Sequence, residues 1–331
     1  MQKIGIIGAG AWGTALAQCL ANGGLDVAIW AREPDAVEAI NTRHENPLFM
    51  PGIQLNQRIK ATNSLAETAD CDTILIVTPA QYIRSTLESL KGDIAEGKPV
   101  VLCSKGIEIN TGLLMSQVAE EEVPNATIAI LTGPTFASEV VRGLPSAVTI
   151  AAKDKDVAQE IRDGLASKHL RPYITDDVIG TQIGGAVKNV IAIACGIVMG
   201  RNLGESARAA LMTRGLAEMG RLASAMGARK KTLMGMCGVG DLMLTCTSMQ
   251  SRNYSLGVLL GQGKTMNQIM EERKGKAVTE GIHTAAAIKT IAKKHAVDMM
   301  IAEIVHKCVT EEVSIDDCIK EILDRPLGQE I

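Results

Sequence analysis

The sequence predicts an α/β protein of two domains, with a doubly wound, mainly parallel sheet in the N-terminal part and an all-helical C-terminal part. Short apolar runs alternate with helical spacing to about residue 175, which is typical of a parallel sheet covered by helices on both faces. Beyond Asp177 only helical periodicity remains. The chain has 331 residues, more than one hydrophobic core usually fills. We therefore predict domains at 1–177 and 178–331.

Individual elements follow from the same patterns. The first strand runs from Lys3 towards Gly8, and further strands are predicted at 26–30, 73–78, 99–103, 127–131, 147–150 and 170–174. Helices are predicted at 14–21, 178–200, 206–226, 284–295, 301–310 and 315–323. Ligands of such sheets bind at the carboxyl ends of the strands, so the residues that follow the strands are the candidate site.

Composition excludes several function classes. Aromatic residues make up 2% of the chain and the net charge is -3, so neither a base-stacking surface nor a basic nucleic-acid footprint is present. The eight cysteines show no CxxC or Cys/His metal spacing, and we expect reduced, mostly buried thiols and no metal. The N-terminus lacks a signal pattern, and the apolar run 190–199 is too short to span a bilayer. We expect a cytoplasmic protein without stable membrane insertion.

A glycine motif follows the first strand. Gly8-Ala9-Gly10-Ala11-Trp12-Gly13 has the GxGxxG spacing between a strand and a helix that a Rossmann-type dinucleotide site requires. Gly8 permits the tight turn, Gly10 lets a pyrophosphate approach the backbone, and Gly13 lets the helix pack on the strand. The helix N-terminus offers free N–H groups to the anion. The alternative is that these glycines only form a tight turn.

The end of the second strand bears on the choice of cofactor. An acidic residue roughly 20 positions after the motif holds the ribose of NAD, whereas an arginine can pair with the 2′-phosphate of NADP. Arg32 occupies this region and Glu33 follows it. We therefore favour NADPH, while Glu33 leaves NADH open. Arg32 could also be an exposed cation at a strand end.

Two later strand ends carry unusual residues. Ser104-Lys105-Gly106 places a lysine where a phosphate or carbonyl would bind, although a solvated loop lysine has the same sequence. Gly133-Pro134 would be an ordinary turn anywhere other than at the ligand-binding edge of the sheet.

Lys188 interrupts the most apolar stretch of the chain, which runs from Gly184 to Met199. A lysine is almost never fully buried without a partner, because burying an isolated ammonium is very costly. It must pair with an anion, change its pKa, or extend its stem to solvent. Burial lowers the pKa of a lysine and a neighbouring carboxylate raises it, and the sequence does not decide between them.

Polar residues concentrate in a predicted loop between the C-terminal helices. Gly238 and Gly240 allow close backbone approach, and Arg252 with Asn253 could bind a phosphate or carboxylate. A capped, solvated turn is the alternative. Glu280 lies near a helix N-terminus, where a carboxylate is stabilised in any case.

Taken in order along the chain, these motifs resemble the NAD(P)-dependent sn-glycerol-3-phosphate dehydrogenases of the bacterial type. The resemblance rests on six segments, 8–13, 104–106, 133–137, 184–189, 238–242 and 251–253. It implies a fold like that of 6-phosphogluconate dehydrogenase and reversible reduction of dihydroxyacetone phosphate, a phosphorylated triose, to sn-glycerol 3-phosphate, the backbone of glycerophospholipids. It also implies a cytoplasmic homodimer.

The resemblance also implies roles for single residues. Lys188 becomes the proton donor and acceptor. The implied substrate-binding residues are Lys105, Gly133, Thr135, Lys188, Asp241, Ser251, Arg252 and Asn253. The implied cofactor-binding residues are Gly8, Gly10, Ala11, Trp12, Gly13, Arg32, Lys105, Ala137, Arg252, Val278 and Glu280. Ala11 departs from the serine common in the family, which should weaken a phosphate contact.

Two other functions remain open from the sequence. A β-hydroxyacid or 6-phosphogluconate-type dehydrogenase shares the cofactor domain and a lysine followed by asparagine, although the Arg252-Asn253 segment favours the glycerol phosphate interpretation. A redox sensor that binds the dinucleotide without turnover would leave Lys188, Lys105 and Arg252 with no common task.

Overall fold

The N-terminal part folds into one eight-stranded sheet in a computed structural model that describes residues 1–273 and 279–324. The strands are β1 (Lys3–Ile7), β2 (Asp26–Trp30), β3 (Ile59–Thr62), β4 (Thr73–Ile76), β5 (Pro99–Leu102), β6 (Thr127–Thr132), β7 (Ser146–Ala152) and β8 (Leu170–Thr175). Their order is β3-β2-β1-β4-β5-β6-β7-β8, and every neighbouring pair is parallel except β6 and β7. The predicted fold class is confirmed.

Helices cover both faces of this sheet. They are α1 (Ala11–Asn22), α2 (Pro34–Arg43), α3 (Leu65–Ala69), α4 (Ile83–Leu90), α5 (Met115–Glu122), α6 (Ala137–Val140) and α7 (Lys155–Leu165). Two separate hydrophobic cores lie between the sheet and its helices. The strand order reverses between β1 and β4, and this point places the end of β1 at the ligand crevice typical of doubly wound sheets.

The C-terminal part is helical and has its own core. Its helices are α8 (Val178–Gly200), α9 (Glu205–Ala225), α10 (Asp241–Thr247), α11 (Arg252–Gly261), α12 (Met266–Glu272), α13 (Glu280–His295), α14 (Met300–Val309) and α15 (Ile315–Leu323). Asp177 caps α8 by accepting a hydrogen bond from the Gly180 N–H at 2.9 Å. Glycines allow α8 and α11 to touch, because a Cβ at Gly196 would lie 2.1 Å from the Tyr254 carbonyl oxygen.

Helix α8 is the apolar centre of this part. By length and composition alone it could cross a membrane, but 83% of its most apolar window is buried inside the protein, as in a core helix. The sequence predicted a helix at 178–200, and the structure has it at these residues. The helix itself has 23 residues because Gly, Thr and Gln continue it towards the N-terminus.

The structure corrects the predicted secondary structure at two places. Strand β3 was not predicted, because its four residues include exposed Lys60 and do not form an apolar run. The segment 238–254 is not a loop: a π-helix (Met236–Gly240) leads directly into α10, and α11 follows after a short connection. Leu242 and Cys246 form the buried face of α10. The glycines and polar residues around them obscured this helical spacing in the sequence. All eight cysteines are free and buried, as expected.

Candidate active site

The glycine motif forms a turn that leads into α1. Gly8 has a φ of +117°, and its N–H donates to the Trp30 carbonyl oxygen at 3.1 Å. A Cβ at Gly13 would lie 1.9 Å from the Gly8 carbonyl oxygen, so only glycine lets α1 pack this closely on the turn. A Cβ at Gly10 would meet no heavy atom within 4 Å. The N-terminus of α1 therefore faces open space beside β1.

The N-terminus of α1 has groups that suit the pyrophosphate of a dinucleotide. Gly10 is the N-cap residue of α1 and supplies no side chain, which leaves backbone N–H groups for an anion. The buried Trp12 Nε1 has no hydrogen-bond partner among the described residues. Asn46 is buried, and the sequence did not indicate it. Its side-chain amide donates to the Ala9 carbonyl oxygen at 2.9 Å and to Thr14 Oγ1 at 2.8 Å, and these two hydrogen bonds hold the turn in place.

Arg32 lies where the sequence placed it, directly after β2. Its side chain is 81% exposed, and its Nη2 and Nε contact Glu33 Oε1 at 2.8 and 3.1 Å. A 2′-phosphate would therefore compete with Glu33 for this guanidinium. Both cofactors stay compatible with this end of the cleft.

A buried cluster of charged groups lies at the end of β5. Lys188 on α8 is 5% exposed, so its stem does not carry the ammonium to solvent. Its Nζ lies 3.0 Å from Asp241 Oδ1 and donates to Thr245 Oγ1 at 2.7 Å. Thr245 Oγ1 in turn donates to Asp241 Oδ1 at 3.2 Å. The sequence did not indicate Thr245, although it lies one helical turn after Asp241 on α10.

Lys105 shares the same carboxylate. Its Nζ donates to Asp241 Oδ2 at 2.7 Å and to the Gly133 carbonyl oxygen at 2.9 Å. Burial is the largest influence on Lys188 and lowers its pKa to about 8, aided by Lys105 and opposed by Asp241. Two ammonium groups on one buried carboxylate leave a net positive site, which suits a substrate that carries or develops negative charge.

Asparagine side chains join three helices next to this cluster. The Asn253 amide donates to Asn189 Oδ1 at 3.0 Å, and Asn253 Oδ1 accepts from the Gly281 N–H at 2.9 Å. Asn189 Nδ2 donates to the Lys105 carbonyl oxygen at 3.5 Å. Asn189 was not among the predicted site residues. The predicted ligand Asn253 thus links α8, α11 and α13 and lies close to Lys105.

The remaining predicted substrate residues lie around this cluster. Ser251 is the N-cap of α11 and accepts from the Tyr254 N–H at 3.2 Å. Arg252 begins α11, is exposed, and makes no side-chain hydrogen bond to the described residues. Thr135 Oγ1 donates to the Gly133 carbonyl oxygen at 3.4 Å. Gly133 itself follows β6, where a Cβ would approach the Val148 Cα to 2.8 Å.

Two of the remaining predicted cofactor residues are described. Ala137 begins α6, directly after the Gly133 turn. Glu280 begins α13; its Oε1 accepts from the Ala80 N–H at 3.2 Å, while its buried Oε2 has no partner among the described residues. Burial raises the pKa of Glu280. Val278 lies outside the described residues.

The glycines before Lys188 determine how closely α8 approaches its neighbours. A Cβ at Gly184 would lie 2.3 Å from the Cys237 carbonyl oxygen, and one at Gly185 would lie 2.8 Å from Thr132 Oγ1. Larger residues would push α8 away from both the π-helix and the end of β6. The glycines thus bring Lys188 towards the sheet edge where Lys105 lies.

Comparison with known proteins decides the family. Models of the NAD-dependent glycerol-3-phosphate dehydrogenase N-terminus and C-terminus match residues 3–158 and 177–320. The chain belongs to this family. It is 54% identical to glycerol-3-phosphate dehydrogenase [NAD(P)+] of Parvibaculum lavamentivorans over 99% of this chain and 98% of the relative. The Caulobacter vibrioides enzyme of the same name is 51% identical over 99% of each chain.

A solved structure of the family has the same fold. The crystal structure of glycerol-3-phosphate dehydrogenase from Coxiella burnetii superposes with a TM-score of 0.92 at 36% identity, covering 98% of this chain and 99% of that one. The two-part architecture of sheet and helices is therefore that of the glycerol-3-phosphate dehydrogenase family.

Proposed function

We propose that this chain catalyses the reversible reduction of dihydroxyacetone phosphate to sn-glycerol 3-phosphate with NADPH or NADH, and that Lys188 supplies the proton. The observation that carries the proposal is the charged cluster of Lys188, Lys105, Asp241 and Thr245 at the carboxyl ends of the strands. The family assignment supports the same substrate and product.

The bound cofactor would supply a hydride to the carbonyl carbon of the triose. Negative charge then develops on the carbonyl oxygen, and a positioned cation that can also release a proton stabilises it. Lys188 meets both needs, because its ammonium is held by Asp241 and Thr245 and its pKa is lowered to about 8. In the reverse direction the neutral amine accepts the proton of the alcohol.

The neighbouring residues orient the triose around that oxygen. Lys105 adds a second positive charge at the same carboxylate. Arg252 has no side-chain hydrogen bond to described residues and, as a cation that stays protonated, suits the substrate phosphate. Binding energy from the phosphate positions the carbonyl, so the loss of Arg252 should lower kcat as well as raise KM. Gly133, Thr135, Ser251 and Asn253 would complete this site.

The cofactor would lie along the glycine motif and α1. Gly8, Gly10, Ala11, Trp12 and Gly13 would surround the pyrophosphate, with Ala137 and Glu280 further along. The family resemblance adds Val278, which lies outside the described residues. Arg32 supports a preference for NADPH, and its pairing with Glu33 predicts that the preference is modest.

Three broader properties belong to the same proposal. The division into domains at 1–177 and 178–331 is supported by the separate cores of the sheet and the helices. A cytoplasmic location and a homodimer rest on the family resemblance. Light scattering would show twice the mass of the chain for a homodimer and contradict it with the mass of a monomer.

The direct test is oxidation of NADPH and NADH by the purified protein, with dihydroxyacetone phosphate and a 3-oxo acid as competing substrates. We expect turnover with the triose phosphate and none above background with the 3-oxo acid. Turnover of the 3-oxo acid alone would favour a β-hydroxyacid dehydrogenase. Tight cofactor binding without any turnover would favour a sensor.

A further inference from the structure

Gln250 links the two parts of the protein at the mouth of the cleft. Its Oε1 accepts from Ser138 Oγ at 2.8 Å, and its Nε2 donates to Glu139 Oε1 at 3.1 Å. Ser138 and Glu139 belong to α6, which packs against α1 of the glycine motif. Gln250 belongs to the connection between α10 and α11. Both the oxygen and the nitrogen of the Gln250 amide therefore bind from the helical part to the sheet part.

This contact lies next to residues that we propose to bind the cofactor and the substrate. Gln250 directly precedes Ser251 and Arg252, and Ser138 directly follows Ala137. The buried Lys105–Asp241 pair already joins the two parts deep in the cleft. The Gln250 contact adds another link between them, at an exposed place that the cofactor and the substrate phosphate would have to pass.

We propose that Gln250 is a positioning residue, whose amide holds the α10–α11 connection and Arg252 against α6 and thereby slows release of the cofactor. This inference rests on the proposed function, because it takes Ala137 and Arg252 as cofactor contacts. Gln250 acts through these neighbours. Its loss opens the mouth of the cleft and leaves the charged cluster that performs proton transfer in place.

A charge-neutral substitution tests this first. Gln250→Ala removes both the oxygen and the nitrogen of the amide, and the dissociation rate constant of NADPH, measured by stopped-flow fluorescence, should rise about three- to tenfold, as expected for two lost hydrogen bonds. The hydride-transfer rate in a single turnover should stay unchanged, and so should Tm. Gln262→Ala is the matched control, because Gln262 is exposed at the other end of α11 and has no side-chain hydrogen bond to the described residues.

An exchange of the two side chains tests the contact itself. Gln250→Glu places two carboxylates in contact and should speed NADPH release at least as much as Gln250→Ala. Combining it with Glu139→Gln restores complementary groups, since the new amide on α6 would donate and the new carboxylate on the α10–α11 connection would accept from both neighbours. The double variant should release NADPH within about twofold of the wild-type rate. Glu139→Gln alone keeps an amide pair and should behave like the wild type.

Three results would overturn the inference. The first is an NADPH dissociation rate constant for Gln250→Ala equal to that for Gln262→Ala. The second is a double variant that releases NADPH no more slowly than Gln250→Glu. The third is slower NADPH release from Glu139→Gln alone than from the wild type. The last result would reveal a general charge effect in place of a contact. Each variant is compared with a wild-type protein that has been shown to turn over dihydroxyacetone phosphate. Failure of the proposed function would instead appear as no turnover by the wild type.

Discussion

The glycine motif at residues 8–13 and the charged cluster of Lys105, Lys188, Asp241 and Thr245 build opposite kinds of binding surface. The motif offers backbone groups, a positive φ and empty space at Gly10. The cluster offers two ammonium groups on one buried carboxylate. A ligand that lies against the backbone leaves no room for an added side-chain atom once it is bound, whereas a site made of charges responds to protonation. Substitutions in the motif should therefore change cofactor binding, and substitutions in the cluster should change the rate and its pH dependence.

The largest expected effect is in the cluster. Lys188→Met should lower kcat about 10²-fold or more, because the substrate oxygen would lose the group that we propose as its proton donor. Tm should stay close to that of the wild type, since Met fills the same space and Asp241 keeps its pair with Lys105. Steady-state kinetics and thermal unfolding check both. The control is Lys91→Met at an exposed position, and turnover near the wild-type value in folded Lys188→Met would refute the role of Lys188.

A smaller effect is expected from the shared carboxylate. Asp241 raises the pKa of Lys188 against the effect of burial, so Asp241→Asn should lower that pKa further and shift the alkaline loss of activity to lower pH. At pH 8 we expect kcat/KM for reduction to fall about tenfold. The pH profile of the variant is compared with that of Asp93→Asn, an exposed aspartate. An unshifted profile would show that Asp241 does not set the protonation of Lys188.

A substitution in the glycine motif should change cofactor binding alone. Gly10→Ala adds a Cβ that meets nothing within 4 Å, so the folded protein should accept it with an unchanged Tm. The methyl group would occupy the approach of the pyrophosphate, and KM for either cofactor should rise about tenfold. Gly220→Ala, which also meets nothing within 4 Å, is the control and should leave KM unchanged. An unaltered cofactor KM in Gly10→Ala would place the cofactor elsewhere.

The smallest effect concerns cofactor preference. Arg32→Ala should lower kcat/KM for NADPH relative to that for NADH by about threefold. The effect is small because the guanidinium is exposed and already contacts Glu33. Glu33→Gln should act in the opposite direction by freeing Arg32. The ratio of kcat/KM values for the two cofactors measures both changes. Equal ratios in the wild type, Arg32→Ala and Glu33→Gln would show that Arg32 does not contribute to cofactor selection.

The comparison also explains what could be predicted from sequence. The glycine motif is local: its strand, turn and helix lie within a short stretch, so spacing alone predicted its conformation. The apolar pattern of α8 predicted its bounds for the same reason, but it left open whether Lys188 is buried or extends to solvent. The partners of Lys188 depend on contacts between distant segments, and no local pattern indicated Thr245, Asn189 or Asn46.

Local patterns also failed where function and packing use the same residues. Gly238 and Gly240 are typical of a loop, but they form the π-helix that presents Asp241 to both lysines. A Cβ at Gly238 would lie 1.9 Å from the Leu233 carbonyl oxygen, so this glycine serves close packing. Asp241 and Ser251 were recognised as site residues through family resemblance. Arg252 and Asn253 were candidates by their chemistry, but spacing alone did not separate them from a capped turn.

The pH dependence of kcat/KM for the reduction of dihydroxyacetone phosphate tests the central claim most directly. In the proposed mechanism the proton that reaches the substrate oxygen starts on Lys188, whose pKa is lowered from 10.5 to about 8. The rate should therefore be level below about pH 8 and fall about tenfold per pH unit above it, while oxidation of glycerol 3-phosphate should rise through the same range. Reduction that stays level to about pH 10 in the wild-type protein would contradict the assignment of Lys188 as the proton donor.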